Sequence, residues 1–423
     1  MTTKNNIPAG YKDSAVGIIP QEWEVKRIKD LGSVITGSTP PTADVSNYGS
    51  EYMFVSPADL SDNQKYVLST EKMLSSKGYA ISRKMPKGTI LYTCIGSTIG
   101  KIGIASRELT SNQQINAVIC NDKNEYLYYA LLLTTGRIKM LAGEQAVPII
   151  NKSEFENIKL AVPPMEEQRK IAEILGVWDE AIEKQCRLIE RLEERKRALM
   201  QRLLTGRMRI HGFNTPWQKI KLGEICKRVI RRNEENCQNV MTISAQRGFV
   251  SQTDFFNKSV ASSILDNYYL VLKNEFCYNK SYSNGYPMGA IKRLKETEKA
   301  VVTTLYICFS VADSKRLNIN FFEQYCEYGG LNRGLTKVAN EGGRAHGLLN
   351  VTPSDFFGLK LLLPSLEEQK AIAEMLATAD NEIVAHRKKL DSLRMQKRGL
   401  MQQLLTGKIR VKNRNYGDKF DKI

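Results

Sequence analysis

The side chains in this 423-residue chain that could do chemistry are suited to binding. Loop-like stretches rich in Gly, Ser and Asn combine basic, amide, hydroxyl and aromatic side chains. Asn and Gln can pair with two atoms of adenine, Arg can pair likewise with guanine, and Lys and hydroxyl groups can fix phosphates. These residues are candidate DNA contacts, although each could instead be an ordinary polar loop residue. The candidates are Thr36, Ser38, Lys84, Lys87, Ser97, Thr98, Lys101, Asn112, Gln113 and Gln114 in the first half of the chain, and Arg231, Arg232, Gln246, Arg247, Lys280, Tyr282, Asn284, Tyr286, Arg333 and Arg344 in the second.

Sequence motifs of catalytic sites are absent. The segment Gly96–Lys101 (GSTIGK) looks like a phosphate-binding loop, but Ile102 stands where Ser or Thr is required and the spacing is one residue short, so we interpret it as a hairpin loop. No hydrolase nucleophile elbow, zinc-protease, protein-kinase or amino-methyltransferase motif occurs. The eight Cys are scattered without a C-x-x-C pair, and there are only three His, which suits the reducing cytoplasm. We therefore expect no catalytic residue, no metal and no cofactor on this chain.

The charge balance favours a polyanionic partner. The chain has 62 Lys and Arg against 45 Asp and Glu, a net charge of +17. Such a surplus indicates nucleic acid first and an anionic membrane second, unless it is spread evenly over solvated surface. The longest apolar run, Tyr126–Leu133, is far shorter than the roughly 20 residues needed to span a bilayer, and the polar start Met1–Gly10 does not predict a signal peptide.

The chain contains an internal repeat. Residues 155–210 align without a gap on residues 356–411, at a constant offset of 201. Both copies carry EEQ near the start (PMEEQRKIAEIL and SLEEQKAIAEML) and LLTG near the end. The segments before the two copies match more loosely, through Trp23 and Trp217 and the apolar residues that follow each. The order along the chain is therefore variable, constant, variable, constant.

Each constant segment predicts one long helix. The first begins after Pro163-Pro164 and runs to about Leu204, and the second begins after Pro364 and ends before Thr406-Gly407. Ser365 and Glu368 have the spacing of a capping box. Apolar residues at alternating steps of four and three predict a coiled-coil seam, the alternative being two amphipathic helices packed on separate domains. The seam positions are Ile171, Leu175, Trp178, Ile182, Gln185, Ile189, Leu192, Lys196, Leu199 and Leu203 in the first helix, and Ile372, Leu376, Ala379, Ile383, His386, Leu390, Leu393, Lys397, Leu400 and Leu404 in the second.

Two seam lysines at matched positions, Lys196 and Lys397, predict the orientation. A parallel pair in register would bring their charges together at low dielectric, which is costly. In an antiparallel pair Lys196 lies near Ala379 and Lys397 near Trp178, where each lysine stem can lie along the opposite helix and send its charge outward. We therefore expect an antiparallel coiled coil within one chain, with a shifted parallel register as the alternative.

The variable segments have the size of domains and mix strand-like with helix-like stretches, among them a helix at Glu125–Leu141. We predict an α+β fold in which two globular domains of mixed α/β content are separated by a long antiparallel two-helix coiled coil, as a pseudo-two-fold repeat. The predicted strands are Tyr52–Val55, Thr89–Cys94, Ala117–Cys120, Val240–Ile243, Tyr269–Leu272 and Val301–Phe309. The predicted boundaries are 1–154 and 211–355 for the variable domains, 155–210 and 356–411 for the helical spacers, and 412–423 for a basic C-terminal tail.

The doubled P-x-x-EEQ helix start, the doubled LLTG end, the opening GIIPQEWEVKRIKDLG and the alternating layout resemble the specificity (S) subunit of type I restriction–modification systems. The resemblance covers essentially the whole chain. It implies two target recognition domains, each reading one half of a bipartite sequence in double-stranded DNA, and a helical ruler between them. It also implies that the subunit is non-catalytic. Because the family's recognition domains vary, the resemblance assigns no role to individual loop residues.

The resemblance further implies partners and places the cofactors on them. Two methyltransferase (M) subunits would bind S-adenosylmethionine and methylate adenine, and restriction (R) subunits would use ATP with Mg²⁺ to cleave DNA. Other interpretations are a free-standing DNA methyltransferase or nuclease, an S subunit of a related fused restriction–methylation system, and a coiled-coil adaptor that does not read DNA. The missing cofactor motifs argue against the first, and the charge and the two polar-looped domains argue against the last.

Overall fold

The computed structural model describes residues 7–61, 63–120, 125–143, 147–252, 265–339 and 349–411. Arg344 and the predicted tail 412–423 lie outside the described residues. The chain forms two compact units: unit 1 comprises residues 1–188 and 386–423, and unit 2 comprises residues 189–385. Each unit includes part of both long helices, whereas the division predicted from the sequence places the helices in two separate spacers. The predicted domain boundaries themselves stay a prediction.

Unit 1 is built around a five-stranded sheet that carries a helix, Tyr126–Leu141, on one face. All four residues of its strand Ile90–Thr93 are buried. Because successive strand residues point to opposite faces, Ile90 and Tyr92 pack in the same apolar core as the helix, and Leu91 packs in a second core with residues of a three-stranded sheet. In spatial order the five strands are Gly32–Thr36, Ile115–Cys120, Ile90–Thr93, Ile102–Ala105 and Tyr66–Val67, and the three are Thr110–Ser111, Tyr48–Val55 and Lys72–Leu74.

Smaller elements complete unit 1. The strand Glu24–Arg27 pairs with Lys159–Val162, which leads directly into the first long helix. The remaining elements are the strand pair Tyr11–Lys12 and Ile19–Pro20, the helices Ile28–Leu31, Ser76–Ala80 and Lys152–Glu156, and the 3₁₀ helices Val45–Asn47 and Pro57–Asp59. The hairpin predicted at Gly96–Lys101 is confirmed, because this segment joins the antiparallel strands Ile90–Thr93 and Ile102–Ala105.

Unit 2 contains a four-stranded antiparallel sheet and three further strand pairs. The four strands, in spatial order, are Cys226–Val229, Ile307–Val311, Phe276–Asn279 and Ala290–Arg293. The pairs are Gln218–Lys221 with Lys360–Leu363, Met241–Ser244 with Gly248–Ser251, and Tyr269–Leu272 with Lys299–Val302. Its short helices within the described residues include Leu222–Ile225, Ile319–Glu327, Asn332–Val338 and Pro353–Phe357.

One strand prediction is wrong in unit 2. The run predicted at Val301–Phe309 is two strands that belong to different sheets. The chain turns between them, where the Tyr306 backbone N–H donates to the Thr303 carbonyl at 3.3 Å. The Tyr306 hydroxyl then lies 2.9 Å from the hydroxyl of Thr242 on a neighbouring strand. A β-branched run could not reveal this turn, since its residues favour strands on both sides of it.

The two long helices span Met165–Leu203 and Leu366–Leu404, close to the predicted bounds. The Gln of each EEQ motif fixes the helix start: Gln168 Nε2 donates to the Pro163 carbonyl at 2.8 Å, and Gln369 Nε2 donates to the Pro364 carbonyl at 3.0 Å. Glycine follows each helix in the left-handed conformation, with φ of 70° at both Gly206 and Gly407. No helix among the described residues has the length and apolar character needed to cross a membrane.

The capping box predicted at Ser365 and Glu368 is half formed. The Glu368 backbone N–H donates to Ser365 Oγ at 3.3 Å. The Glu368 side chain instead accepts from Arg209 Nε at 2.6 Å and from Arg209 Nη2 at 2.7 Å. A fully buried carboxylate gains more from a two-point ion pair than from one backbone N–H, so the arginine determines its position.

Within each unit the two long-helix segments run in opposite directions. In unit 1 the residues Glu167, Asp179 and Gln185 of the first helix contact residues of falling number, namely Arg410, Lys397 and His386. In unit 2 the residues Lys196 and Arg209 contact Asp380 and Glu368 in the same descending order. These contacts exclude a parallel arrangement of the segments inside either unit.

None of the twenty seam positions is exposed. Seven in each helix are buried, and Trp178, Lys196, Leu199, His386, Leu393 and Leu400 are half-buried. The two lysines differ from the expectation that their charges would point outward. Lys196 Nζ lies 2.6 Å from Asp380 Oδ1, and Lys397 Nζ contacts Asp179 Oδ1. Each ammonium therefore gains a carboxylate on the opposite helix, which offsets the cost of burying it.

Candidate nucleic-acid interface

In unit 1 several predicted DNA contacts meet at one edge of the five-stranded sheet, namely the edge formed by the ends of its strands. The loop after Gly32–Thr36 and the loop before Ile115–Cys120 lie side by side, since the Ser38 N–H donates to the Ser111 carbonyl at 2.8 Å. Thr39 Oγ1 donates to Gln113 Oε1, and Thr36 Oγ1 donates to Asn116 Oδ1 at 2.7 Å. The predicted residues gathered here are Thr36, Ser38, Asn112, Gln113 and Gln114.

The hairpin loop that carries Ser97 and Thr98 joins this edge. The Cys94 N–H donates to the Gln114 carbonyl at 2.8 Å, which ties the start of the hairpin to the amide-rich loop. Lys101 turns away, because its Nζ donates to the Pro57 carbonyl at 3.0 Å. Lys87 is exposed and precedes the first residue of strand Ile90–Thr93, whereas the hairpin loop follows the last. The structure therefore does not bring Lys87 to the same edge.

Arg83 belongs to this edge although it was not predicted. Its Nη1 donates to the Thr36 carbonyl at 2.7 Å and its backbone N–H donates to Ser38 Oγ at 3.0 Å. The neighbouring Lys84 is exposed, with its Nζ 4.8 Å from the centre of the Tyr79 ring. The sequence signal was present, because Arg83-Lys84 is a basic pair, but nothing in the sequence distinguished Arg83 from other surface arginines.

In unit 2 a second group forms at the ends of two strands. Gln246 Nε2 donates to the Asn284 carbonyl at 3.1 Å, which joins the turn after Met241–Ser244 to the loop after Phe276–Asn279. Arg247, Tyr282 and Asn284 belong to these two connections and have exposed side chains. Burial lowers the pKa of the neighbouring Lys280 ammonium.

Tyr286 anchors the second loop to a helix. Its hydroxyl donates to Glu327 Oε1, and Lys292 Nζ donates to the Tyr286 hydroxyl at 3.1 Å. Burial and the Glu327 carboxylate both raise the pKa of Tyr286, so its hydroxyl stays protonated and remains a donor. Sequence reasoning found Tyr286 but not Lys292 or Glu327, which lie six and 41 residues further along the chain.

The predicted arginines of unit 2 fall into different environments. Arg231 forms a two-point ion pair with Glu275, with both nitrogen–oxygen distances at 3.2 Å. Arg232 donates to the Asn267 carbonyl and lies over the Tyr269 ring. Arg333 is exposed on the helix Asn332–Val338. The structure therefore joins Gln246 and Asn284, and gives Arg231 and Arg232 contacts within the fold.

Both groups consist of exposed or half-exposed amides, hydroxyls and basic side chains at the ends of strands. Such side chains can donate to and accept from base edges, and can contact phosphates, without any covalent chemistry. Among the described residues no group of three or more His, Cys, Asp and Glu could hold a metal ion. The arrangement in each unit can therefore contact a polar partner through hydrogen bonds and ion pairs.

Comparison with known proteins finds the same domain twice. The family model "Type I restriction modification DNA specificity domain" matches residues 20–194 and 214–394. The MjaVIII type I restriction enzyme specificity subunit of Methanocaldococcus jannaschii is 27% identical over 430 residues, covering 94% of this chain and 95% of that protein. The HindI specificity subunit of Haemophilus influenzae is 32% identical over 200 residues, covering 44% of this chain and 42% of that protein.

Solved structures share the fold. The crystal structure of the type I restriction–modification S subunit from M. genitalium has a TM-score of 0.54 at 16% identity, covering 96% of this chain and 98% of that one. A structure from work on complex assembly and conformational transition of the type I system also has a TM-score of 0.54, at 15% identity. The duplicated match to the family model, which spans more than half of the chain, shows that the chain belongs to the family of type I restriction–modification DNA specificity subunits.

Proposed function

We propose that this chain is the non-catalytic subunit that selects the DNA sequence for a type I restriction–modification complex. The observation that carries the proposal is that the DNA specificity domain occurs twice, and that each unit has a polar loop group at its strand ends. Each recognition domain reads one half of a bipartite target in double-stranded DNA. Phosphate contacts from the basic surface supply affinity, and base-edge contacts supply the choice of sequence.

The long helices fix the gap between the two half-sites. We propose that they pair as one antiparallel coiled coil, since their segments run in opposite directions in both units and their seam positions are buried or half-buried. A helix of 39 residues is about 58 Å long, and a paired helix resists bending. Two modest readers on a stiff connection bind together only when the spacing of the half-sites fits.

The proposed partners follow from the family. Two methyltransferase subunits dock on the repeated helical segments and bring S-adenosylmethionine to an adenine in each half-site. Restriction subunits join the larger assembly and supply the ATP- and Mg²⁺-dependent cleavage. This chain contributes no cofactor site of its own, and it acts in the cytoplasm with its partners.

Methylation sequencing of cells that express the chain with its methyltransferase partner tests the proposal. We expect one bipartite motif, with methylated adenine in both half-sites and one fixed gap length. A continuous motif, or methylation independent of this chain, would contradict it. Purified complex should also shift a duplex that contains the motif, and the shift should weaken steeply as salt rises from about 50 to 200 mM.

A further inference from the structure

A carboxylate in unit 1 joins the recognition domain to both long helices. Asp179 lies on the first long helix, and the fully buried Tyr129 of the domain donates its hydroxyl to Asp179 Oδ2 at 2.6 Å. Lys397 of the second long helix donates to the other oxygen of Asp179. The side chains of Asp179 and Lys397 are only 19% and 11% exposed. Lys65, on a loop of the same domain, adds a hydrogen bond to the Tyr129 hydroxyl at 3.2 Å.

Unit 2 contains the same kind of three-way contact. Asp380 lies on the second long helix, and Gln324 of the domain donates its Nε2 to Asp380 Oδ2 at 2.8 Å. Lys196 of the first long helix donates to Asp380 Oδ1 at 2.6 Å. The Lys196 side chain is 15% exposed and the Asp380 side chain 38%, so this ion pair is less shielded from water than the pair in unit 1.

The two contacts use equivalent residues of the long helices but different residues of the recognition domains. Asp179 and Asp380 are equivalent positions of the repeat, and so are Lys196 and Lys397. The domain donors are a tyrosine in unit 1 and a glutamine in unit 2. Each recognition domain thus reaches a constant carboxylate with a donor of its own.

In unit 1 the helix that carries Tyr129 also packs against the hairpin loop Gly96–Lys101, which contains the predicted DNA contacts Ser97 and Thr98. We call such a loop of predicted DNA contacts a reading loop. Gly100 of the hairpin loop has a φ of 94° and lies so close to this helix that a Cβ atom would stand 2.4 Å from Thr135 Cγ2. The Tyr92 hydroxyl also donates to Thr135 Oγ1 at 3.3 Å. Because Tyr129 and Thr135 lie on one helix, a tilt of that helix moves the loop.

In unit 2 the helix that carries Gln324 supports the reading loop in the same way. Glu327 on this helix accepts hydrogen bonds from Tyr286 and Lys292. Tyr286 belongs to the loop that contains Asn284, and Gln246 contacts that loop. The helix Ile319–Glu327 therefore connects the reading loop, through Glu327, to Asp380 of the long helix, through Gln324.

We propose that Asp179 and Asp380 are positioning residues that fix the tilt of each recognition domain on the long helices, and thereby the gap between half-sites that the chain accepts. This inference rests on the proposed function and deepens it. The carboxylates do not contact DNA in this scheme. They hold the helix on which the reading loop is mounted, so they affect spacing and leave the choice of bases to the loops.

The test introduces the substitutions Asp179→Asn and Asp380→Asn, singly and together, into the full chain, which is expressed with its methyltransferase partner. Methylation is measured on a target library in which the half-sites are constant and the gap varies by single base pairs. The Asn side chain keeps the shape but loses the charge that holds the lysine. We expect the preference for the correct gap over a gap one base pair longer or shorter to fall about tenfold in each single variant, with the half-site bases unchanged.

Two further variants keep the test decisive. Glu180→Gln removes an acid that is 71% exposed on the same helix, and it should leave the gap preference unchanged. Tyr129→Phe removes only the donor and should relax the gap in the same direction; it decides the matter if Asp179→Asn is too unstable to assay. Wild-type gap preference in the Asp variants, or altered half-site bases, would overturn the inference. Failure of the wild-type chain to give a bipartite motif would instead overturn the proposed function.

Discussion

Glu167 shows how one residue of the EEQ motif ties distant segments together. It accepts from Arg410 Nε and Nη2, both at 2.9 Å, from Trp23 Nε1 at 3.0 Å and from the Val411 N–H at 3.2 Å. Its equivalent in the other copy, Glu368, makes the matching pair with Arg209. Burial alone would raise the pKa of Glu167, but the hydrogen bonds from Arg410 and Trp23 outweigh it and hold that pKa below the ordinary 4.5.

Glu167→Gln should therefore lower the free energy of unfolding near pH 7 by about 1.5–3 kcal/mol, the worth of hydrogen bonds to a charged group. Since the folded pKa lies below the unfolded value of 4.5, the contribution of the charge is complete above about pH 4.5 and is lost as the pH falls through the folded pKa. The stability difference between wild type and variant, followed by urea unfolding, should thus shrink on acidification. A difference that stays constant down to pH 3 would contradict this assignment.

The two matched tryptophans give a second residue-scale prediction. Trp23 Nε1 donates to Glu167, whereas the equivalent Trp217 Nε1 is buried without a hydrogen-bond partner among the described residues. Trp23→Phe should lower the urea midpoint clearly more than Trp217→Phe, because only the first substitution removes a hydrogen bond to a carboxylate. Each variant is the control for the other, and equal losses would show that ring packing alone decides the effect.

At the scale of elements, the sequence predicted the two long helices best, because their apolar residues recur with one period over about 40 residues. The helix bounds follow from Pro163-Pro164 and from the terminal glycines. The coiled-coil seam stays a prediction, which rests on a heptad repeat along the whole of each helix. The pairing of Lys196 with Asp380 was missed, although the matched Asp179 and Asp380 were visible in the repeat. An aspartate beside a seam position looks like any surface acid until the facing lysine is known.

The same reasoning explains what could not be predicted at the site. Gln246 and Asn284 were named from their residue types, but their contact joins connections of two different sheets whose strands are far apart in sequence. Glu275, which takes up Arg231, lies 44 residues away and carries no local signal. Loop residues of variable domains have no periodicity, so only their chemistry and not their neighbours can be inferred from the sequence.

Inserting seven residues into each long helix tests the ruler at the element scale. The insertions belong beside Gln185 and His386, because the ion pairs of unit 1 and of unit 2 then stay within their own segments. A heptad keeps the seam in phase and lengthens the helices by about 10 Å, equivalent to roughly three base pairs. Methylation sequencing should return the same half-sites with a longer gap. An unchanged gap would show that the helices do not set the spacing, and a two-residue insertion, which breaks the seam, serves as the control.

At the scale of the whole molecule, the repeat predicts that the two recognition domains can be exchanged independently. Replacing residues 211–355 with the corresponding domain of another specificity subunit leaves Arg209, Glu368 and both long helices in place. One half of the methylated motif should then change to the donor's half-site, while the other half and the gap persist, provided that the donor has a hydrogen-bond donor where Gln324 meets Asp380. Replacing residues 1–154 should change the opposite half, which makes the two chimaeras controls for each other. If either chimaera altered both halves of the motif, recognition would be a joint property of the chain, and the two polar loop groups could not be separate readers.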